Sequence, residues 1–324
     1  MFNALLLEES GKDTLARVQR LDENQLTEGD VLVRVDYSSL NYKDALAITG
    51  KGKIVRQWPM IPGVDFAGTV LASNHPKHKI GDEVLLTGWG VGEKHWGGMA
   101  EKARVNGDWL LPLPGTMTSK RAMAIGTAGL TAMLCLMALE HAGIKPEQGP
   151  ILVTGATGGV GSTAVRLLAK AGFEVHAETG RIQNKAWLHS LGASEVIERS
   201  EFDKEPAALE SQRWAGAIDA VGGRTLARIL SQTKMHGAVA ACGLAGGVAL
   251  NTTVMPFILR GVQLLGIDSV YAPEAARIAA WQRLEDSLPA DFEEQSEVYT
   301  LEQTVQAAHD LLAGKLKGRL LIQP

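Results

Sequence analysis

The stretch Ile151-Leu152-Val153-Thr154-Gly155-Ala156-Thr157-Gly158-Gly159-Val160-Gly161 sets the fold. An apolar strand-like triplet runs into four glycines within seven positions. A helical stretch over about residues 162–171 follows. Strand, glycine turn and helix form the context in which such a motif binds a ligand. Gly155 permits a tight turn, Gly158 and Gly159 leave the backbone open to a pyrophosphate, and Gly161 lets the helix pack closely on the strand. The first-turn N–H groups and the helix dipole then face the phosphates. The spacing G-x-x-G-G-x-G departs from plain G-x-G-x-x-G, and a βα turn without a ligand is the competing reading.

The next strand, Phe173-Glu174-Val175-His176-Ala177, runs out into Glu178-Thr179-Gly180-Arg181, where the adenosine ribose of a dinucleotide would lie. Two signals oppose each other here. A carboxylate such as Glu178 suits the 2′-hydroxyl of NAD. Arg181 is always charged and can bond in bidentate fashion, so it suits the 2′-phosphate of NADP, which Glu178 would repel if it faced it. A cation at a helix start is unfavourable alone. That argues for an anionic partner and tips the balance to NADPH.

Outward from this turn, strands and helices alternate from about residue 121. Helical stretches cover 120–141 and about 184–191, and strands cover 195–197, 217–221 and 238–241. This alternation predicts an α/β fold with a doubly wound parallel sheet. Residues 1–120 read instead as short strands over 4–7, 31–37, 68–72 and 83–86, a small β domain. A terminal helix over 301–314 and a strand over 318–322 are expected to return to it. The expected division is therefore 1–120 completed by 288–324, and 121–287. The length of 324 residues agrees with two domains of ~100–200 residues each.

Glycine is the compositional outlier, with 36 residues. It marks backbone that bends or is closely approached. The net charge of −4 argues against general nucleic-acid binding. No apolar run is expected to reach the ~20 residues that span a bilayer. Glu8 follows Met1 too soon for a secretory signal. A cytoplasmic location is expected, with no nucleic-acid or membrane partner. The two cysteines, Cys135 and Cys242, cannot build a disulfide framework or a four-cysteine zinc site.

Four further motifs occur in order: Asn41-Tyr42-Lys43-Asp44, Pro62-Gly63-Val64-Asp65-Phe66-Ala67-Gly68, Gly97-Gly98-Met99-Ala100-Glu101 and Thr127-Ala128-Gly129-Leu130-Thr131-Ala132. Together with the glycine turn they resemble the medium-chain dehydrogenase/reductase superfamily along nearly the whole chain. The resemblance implies a Rossmann-type sheet plus a GroES-like small β domain. Residues 39–53, 86–92, 242–247 and 252–260 resemble the zinc-independent, quinone-oxidoreductase-like branch and, within it, bacterial acrylyl-CoA reductases. That implies NADPH-dependent reduction of the C=C bond of acrylyl-CoA, an acyl-CoA thioester, to propionyl-CoA. A quinone or free-enone reductase using the same site is the alternative, and a non-catalytic NADPH-binding protein a third. Zinc members place metal ligands where this chain has Asn41 and Val64. Neither offers a thiolate or imidazole, so no metal is expected.

The resemblance also implies site residues. Thr157, Gly158, Gly159 and Val160 would hold the pyrophosphate, and Thr179, Gly180 and Arg181 the 2′-phosphate. Tyr42 would reach the cofactor from the β domain, and Arg199 would lie near the adenosine end. Leu244, Ile258 and Ser269 would contact the nicotinamide end, with core packing as the alternative for Leu244 and Ile258.

Hydride addition to an unsaturated thioester builds negative charge on the carbonyl oxygen. Alignment and hydrogen-bond donors at that oxygen are therefore needed. Asn41 is the candidate donor, and Tyr42 is a candidate proton donor or cofactor contact. Asp44 is expected to orient loop backbone. Some enoyl reductases of the superfamily carry a Tyr shortly beyond the Asn41 equivalent; residues 51–59 contain none, so the proton donor stays open, with solvent a candidate. Lys51, Lys53 and Arg56 would attract CoA phosphates or form a solvated loop. Trp89 and Trp96 would cover the substrate or pack internally. The apolar strand over 262–267 is expected to pair across a two-fold axis in a homodimer.

Overall fold

The computed structural model describes residues 1–11 and 13–324. In chain order the first elements are β1 (Phe2–Ser10), β2 (Asp13–Leu21), β3 (Val31–Ser39), α1 (Tyr42–Ile48), β4 (Asp65–Ser73), β5 (Glu83–Thr87), β6 (Lys102–Val105) and β7 (Leu111–Pro112). Next come α2 (Ser119–His141), β8 (Ile151–Val153), α3 (Gly159–Lys170), β9 (Val175–Thr179), α4 (Lys185–Ser190), β10 (Glu195–Glu198) and β11 (Trp214–Asp219). The last are α5 (Gly223–Gln232), β12 (Thr233–Ala241), α6 (Met255–Arg260), β13 (Gln263–Gly266), α7 (Glu274–Ser287), β14 (Glu297–Thr300), α8 (Leu301–Leu312) and β15 (Leu320–Gln323). They form two compact units. The first is Met1–Thr127 with Val270–Glu285 and Pro289–Pro324; the second is Ala128–Ser269 with Asp286–Leu288.

The second unit is built on a six-stranded sheet in the order β10-β9-β8-β11-β12-β13. Every neighbouring pair is parallel. Counted from β8, the order is that of a Rossmann sheet, 3-2-1-4-5-6, which reverses between β8 and β11. Its central strands are buried along their length, including Ile151, Leu152, Val153, Ala217, Ile218 and Val239. Such unbroken apolar runs are what a sheet covered on both faces requires. Leu226, Ile229 and Leu230 of α5 close one core with Leu152, Ile197, Phe202 and Trp214. Gly155 lies just beyond β8, at the end of the sheet where such folds bind ligands.

The first unit holds a seven-stranded sheet, order β14-β15-β3-β4-β5-β7 with β6 also on β3, and the β1–β2 hairpin pair. β15 runs antiparallel to β3, with Leu321 opposite Ser39. The C-terminal strand thereby brings Arg319 beside a residue 280 positions earlier.

Three details differ from the sequence reading. Helix α3 begins at Gly159, inside the glycine cluster, because the turn is completed by Gly158, whose N–H donates to Gly155 O at 2.9 Å. The stretch over 120–141 is broken at Gly126 (φ +52°, ψ −159°). That φ strains any L side chain, and a Cβ there would also sit 2.5 Å from Arg319 Nη2. By length and composition this helix is apolar enough to cross a membrane, contrary to the expectation above; most of it is buried within the chain.

The first unit also takes Val270–Glu285, which the sequence reading assigned elsewhere. The reason is Arg277. Its buried guanidinium donates to the carbonyls of Thr87, Val270 and Ala272 and lies 4.7 Å from the Trp89 ring centroid. Tyr271 meets the same ring edge-on.

Candidate functional site

The glycine turn and the end of β9 come together in the second unit. Gly155 adopts φ +58°, a conformation that favours glycine. Gly161 is required by packing, since a Cβ there would lie 2.4 Å from Gly155 O. Gly158 is different: its extended backbone suits any residue, and a Cβ would meet one atom, Gly155 O, at 3.3 Å. The turn therefore leaves open backbone at Gly158 that the fold itself does not demand. No side chain caps α3, so its first-turn N–H groups at Gly159 and Val160 suit an anion.

Two guanidinium groups flank this turn. Arg181 Nε donates to Thr157 Oγ1 at 2.9 Å, and the Arg181 N–H donates to Thr179 Oγ1 at 3.0 Å. Thr157 and Thr179 are themselves 3.3 Å apart through their hydroxyls. Arg199 lies over Gly180, where a Cβ would be 3.3 Å from its Cζ. Burial, and next the neighbouring Arg199, lower the Arg181 pKa. Two adjacent cations with small hydroxyl neighbours suit a phosphate dianion. Glu178 turns away from this cradle. It is fully buried and accepts from the Gly155 N–H and from Arg199 Nε, each at 2.8 Å. The repulsion feared from the sequence therefore does not face the cradle.

In the first unit the structure gathers Ser39, Asn41, Asp44, Asp65 and Arg319. Asp65 is fully buried and accepts from the Ser39 N–H, Ser39 Oγ, Asn41 Nδ2 and the Thr127 N–H at 2.7–3.1 Å. Arg319 donates to Ser39 Oγ, Asn41 Oδ1 and the carbonyls of Met123 and Ala124. Asp44 accepts from the N–H groups of Asn41, Gly63 and Val64. Burial, and next the Asp65 carboxylate, push Asp44 up to about 7. Asn41 is thus committed. Its Nδ2 donates to Ser39 and Asp65, whereas the sequence suggested a donor toward substrate. Buried Asp65 needs those hydrogens. Tyr42, next in chain, is exposed at the first position of α1.

The remaining candidates separate. Leu244 and Ile258 are 58% and 71% exposed, so neither is core within the chain. Ser269 Oγ accepts from Thr131 Oγ1 at 2.8 Å. Trp96 Nε1 donates to Pro59 O and its ring packs on the first unit's core, as does Trp89. His95 is held by Thr27, the Glu28 carbonyl and its own neighbour's carbonyl, so it is structural. Lys51, Lys53 and Arg56 are exposed. Among the described residues, no three His, Cys, Asp or Glu side chains gather as metal ligands. Ser39, Asp65 and Arg319 are the residues sequence reasoning missed. Asp65 stands in the Pro62–Gly68 motif and Ser39 opens the 39–53 segment, but no local pattern ties Arg319 to them.

Residues 27–115 match the alcohol dehydrogenase GroES-like domain, and residues 159–286 match the zinc-binding dehydrogenase family. "Probable acrylyl-CoA reductase AcuI" of Escherichia coli (strain K12) is 58% identical over 321 residues, 99% of each chain. The chain belongs to the medium-chain dehydrogenase/reductase superfamily. Within the superfamily it falls in the zinc-independent, quinone-oxidoreductase-like branch, close to bacterial AcuI-type reductases. "Acrylyl-CoA reductase AcuI" of Ruegeria pomeroyi is 52% identical over 329 residues, again 99% of each chain. Among solved superfamily structures, the yhdH oxidoreductase of Salmonella enterica in complex with NADP matches with a TM-score of 0.97 at 58% identity, covering 99% of each chain. Bacillus subtilis yhfP with NAD bound matches with a TM-score of 0.95 at 45% identity, covering 100% of this chain and 99% of that one.

Proposed function

We propose that the protein is an NADPH-dependent reductase of an activated C=C bond, converting acrylyl-CoA to propionyl-CoA without a metal. The observation that carries the substrate is the 52% identity, end to end, with the Ruegeria acrylyl-CoA reductase. The paired Arg181 and Arg199 beside the open turn at Gly158 support the cofactor. That a Salmonella relative at 58% identity was solved with NADP supports it further.

The bound cofactor supplies a hydride for the β-carbon of the thioester. Thr157, Gly158, Gly159 and Val160 would bind the pyrophosphate at the start of α3, where the dipole favours negative charge. Thr179, Gly180 and Arg181, with Arg199, would take the 2′-phosphate. Leu244, Ile258 and Ser269 are assigned to the nicotinamide end, the first two with the exposure such contact needs. Asn41 acts by holding the Ser39–Asp65–Arg319 cluster and the start of α1, so that Tyr42 keeps a fixed origin. Tyr42 is the side chain proposed to pass a proton to the substrate α-carbon, with solvent as the alternative source. Exposed Lys51, Lys53 and Arg56 would draw in the CoA phosphates.

A quinone or free-enone reductase is the second reading, favoured by the branch to which the chain belongs. A substrate panel under steady state with NADPH tests the choice. A higher kcat/KM for acrylyl-CoA than for any quinone or enone supports the first reading; the reverse order supports the second. We also propose a homodimer through the open edge of β13, which has β12 on one side and no other strand among the described residues.

A further inference from the structure

Glu178 presents an unusual combination. Successive residues of a strand face opposite sides, so Thr179 lines the phosphate cradle while Glu178 is turned under the glycine turn. There it is fully buried. One carboxylate oxygen accepts the Gly155 N–H and the other accepts Arg199 Nε, both at 2.8 Å; the Glu178 carbonyl also accepts the Ala156 N–H at 2.9 Å. A buried carboxylate must be paired, and breaking such a pair is costly. Arg199 is the only cation on it among the described residues, and that side chain is half exposed. Being held through Nε, Arg199 keeps its terminal nitrogens free of any hydrogen-bond partner among the described residues. They lie over Gly180, whose missing Cβ leaves them room. Arg181 approaches from Thr157, and Arg199 disfavours its charge. Like charges held this close call for an anion that both can bind.

We propose that Glu178 is the positioning residue for cofactor selectivity: it never meets the dinucleotide, but ties the Gly155 turn to Arg199 and so sets the two-arginine cradle for a 2′-phosphate. This rests on the NADPH reading above. The carboxylate that looks in the sequence like a mark of NAD is here the brace for an NADP-selecting arginine. A second expectation follows from geometry. Shortening the brace by one methylene should harm selectivity as much as removing its charge.

The test is calorimetric titration of the full-length protein with 2′,5′-ADP and with 5′-AMP, using wild type, Glu178→Gln, Glu178→Asp, Arg199→Met and the Glu178→Gln/Arg199→Met pair. Wild type should prefer 2′,5′-ADP. Glu178→Gln, Glu178→Asp and Arg199→Met should each weaken 2′,5′-ADP by about tenfold, the usual scale for a charge-assisted hydrogen bond, with little change for 5′-AMP. The double variant should be no worse than Arg199→Met alone. Wild-type or tighter 2′,5′-ADP binding by Glu178→Gln and Glu178→Asp, with Arg199→Met still impaired, overturns the proposal and leaves the NADPH reading standing. A wild type that does not prefer 2′,5′-ADP overturns both. If Glu178→Gln does not fold, Glu178→Asp decides. It keeps the charge and loses the reach, so wild-type selectivity in that variant contradicts a positioning role.

Discussion

Arg181 leans on Thr157 with Arg199 beside it, and its charge is disfavoured by burial and by that neighbour. An anion relieves both. Arg181→Ala should therefore raise the NADPH dissociation constant by roughly 10–100-fold, about 1.5–3 kcal/mol for hydrogen bonds to a charged group, and leave NADH nearly unchanged. Fluorescence titration with both cofactors checks this; equal losses contradict it. Asp44 makes a pH prediction. Its folded pKa of about 7 stands above the ordinary 3.8, so the folded chain holds the proton more tightly than the unfolded chain. That contribution is fully present below 3.8 and is lost as the pH rises towards 7. The melting temperature of wild type should fall relative to Asp44→Asn across this window and run parallel above it. A parallel course throughout contradicts the assignment. At this scale the sequence displayed Arg181 three residues after Glu178 and favoured the arginine without showing where the carboxylate goes. Which one faces a ligand depends on the pleat of β9 and on Arg199, and only packing decides both. Arg319 was invisible for the same reason, being 280 residues from the Ser39 hydroxyl it binds.

The glycines of the β8–α3 turn separate structural need from ligand need. Gly161→Ala puts a Cβ 2.4 Å from a backbone oxygen and 2.7 Å from Ala156 Cα. Overpacking on this scale should cost about 1–3 kcal/mol or more, seen as a lowered melting temperature without ligand. Gly158→Ala meets one atom at 3.3 Å, so its unliganded stability should stay near wild type while NADPH binding is lost. Differential scanning calorimetry with and without NADPH distinguishes the two. A Gly158→Ala variant that melts like Gly161→Ala would mean that Gly158 serves the fold alone. The turn was legible from sequence because strand, glycines and helix are adjacent, and local pattern reports local structure. The break at Gly126 was not, since the guanidinium that packs against it comes from Arg319, just before β15. The start of α3 was misplaced by three residues because glycine disfavours helix, yet here the turn at Gly158 starts it.

The whole molecule was readable in outline because βαβ alternation and short β strands leave different periodicities. The assignment of Val270–Glu285 to the first unit was not, because it rests on Arg277 and the Trp89 ring rather than on pattern. At this scale the open edge of β13, with exposed Leu264, predicts that the protein sediments at twice the chain mass and that Leu264→Glu sediments as a single chain. A wild type that sediments as a monomer contradicts that. The claim on which the rest depends is the reaction. The most direct measurement is steady-state oxidation of NADPH by the purified protein with acrylyl-CoA, set against a quinone and a free enone under the same conditions. Turnover with acrylyl-CoA, forming propionyl-CoA at the highest kcat/KM of the three, is the predicted result. No NADPH oxidation above background with acrylyl-CoA contradicts it.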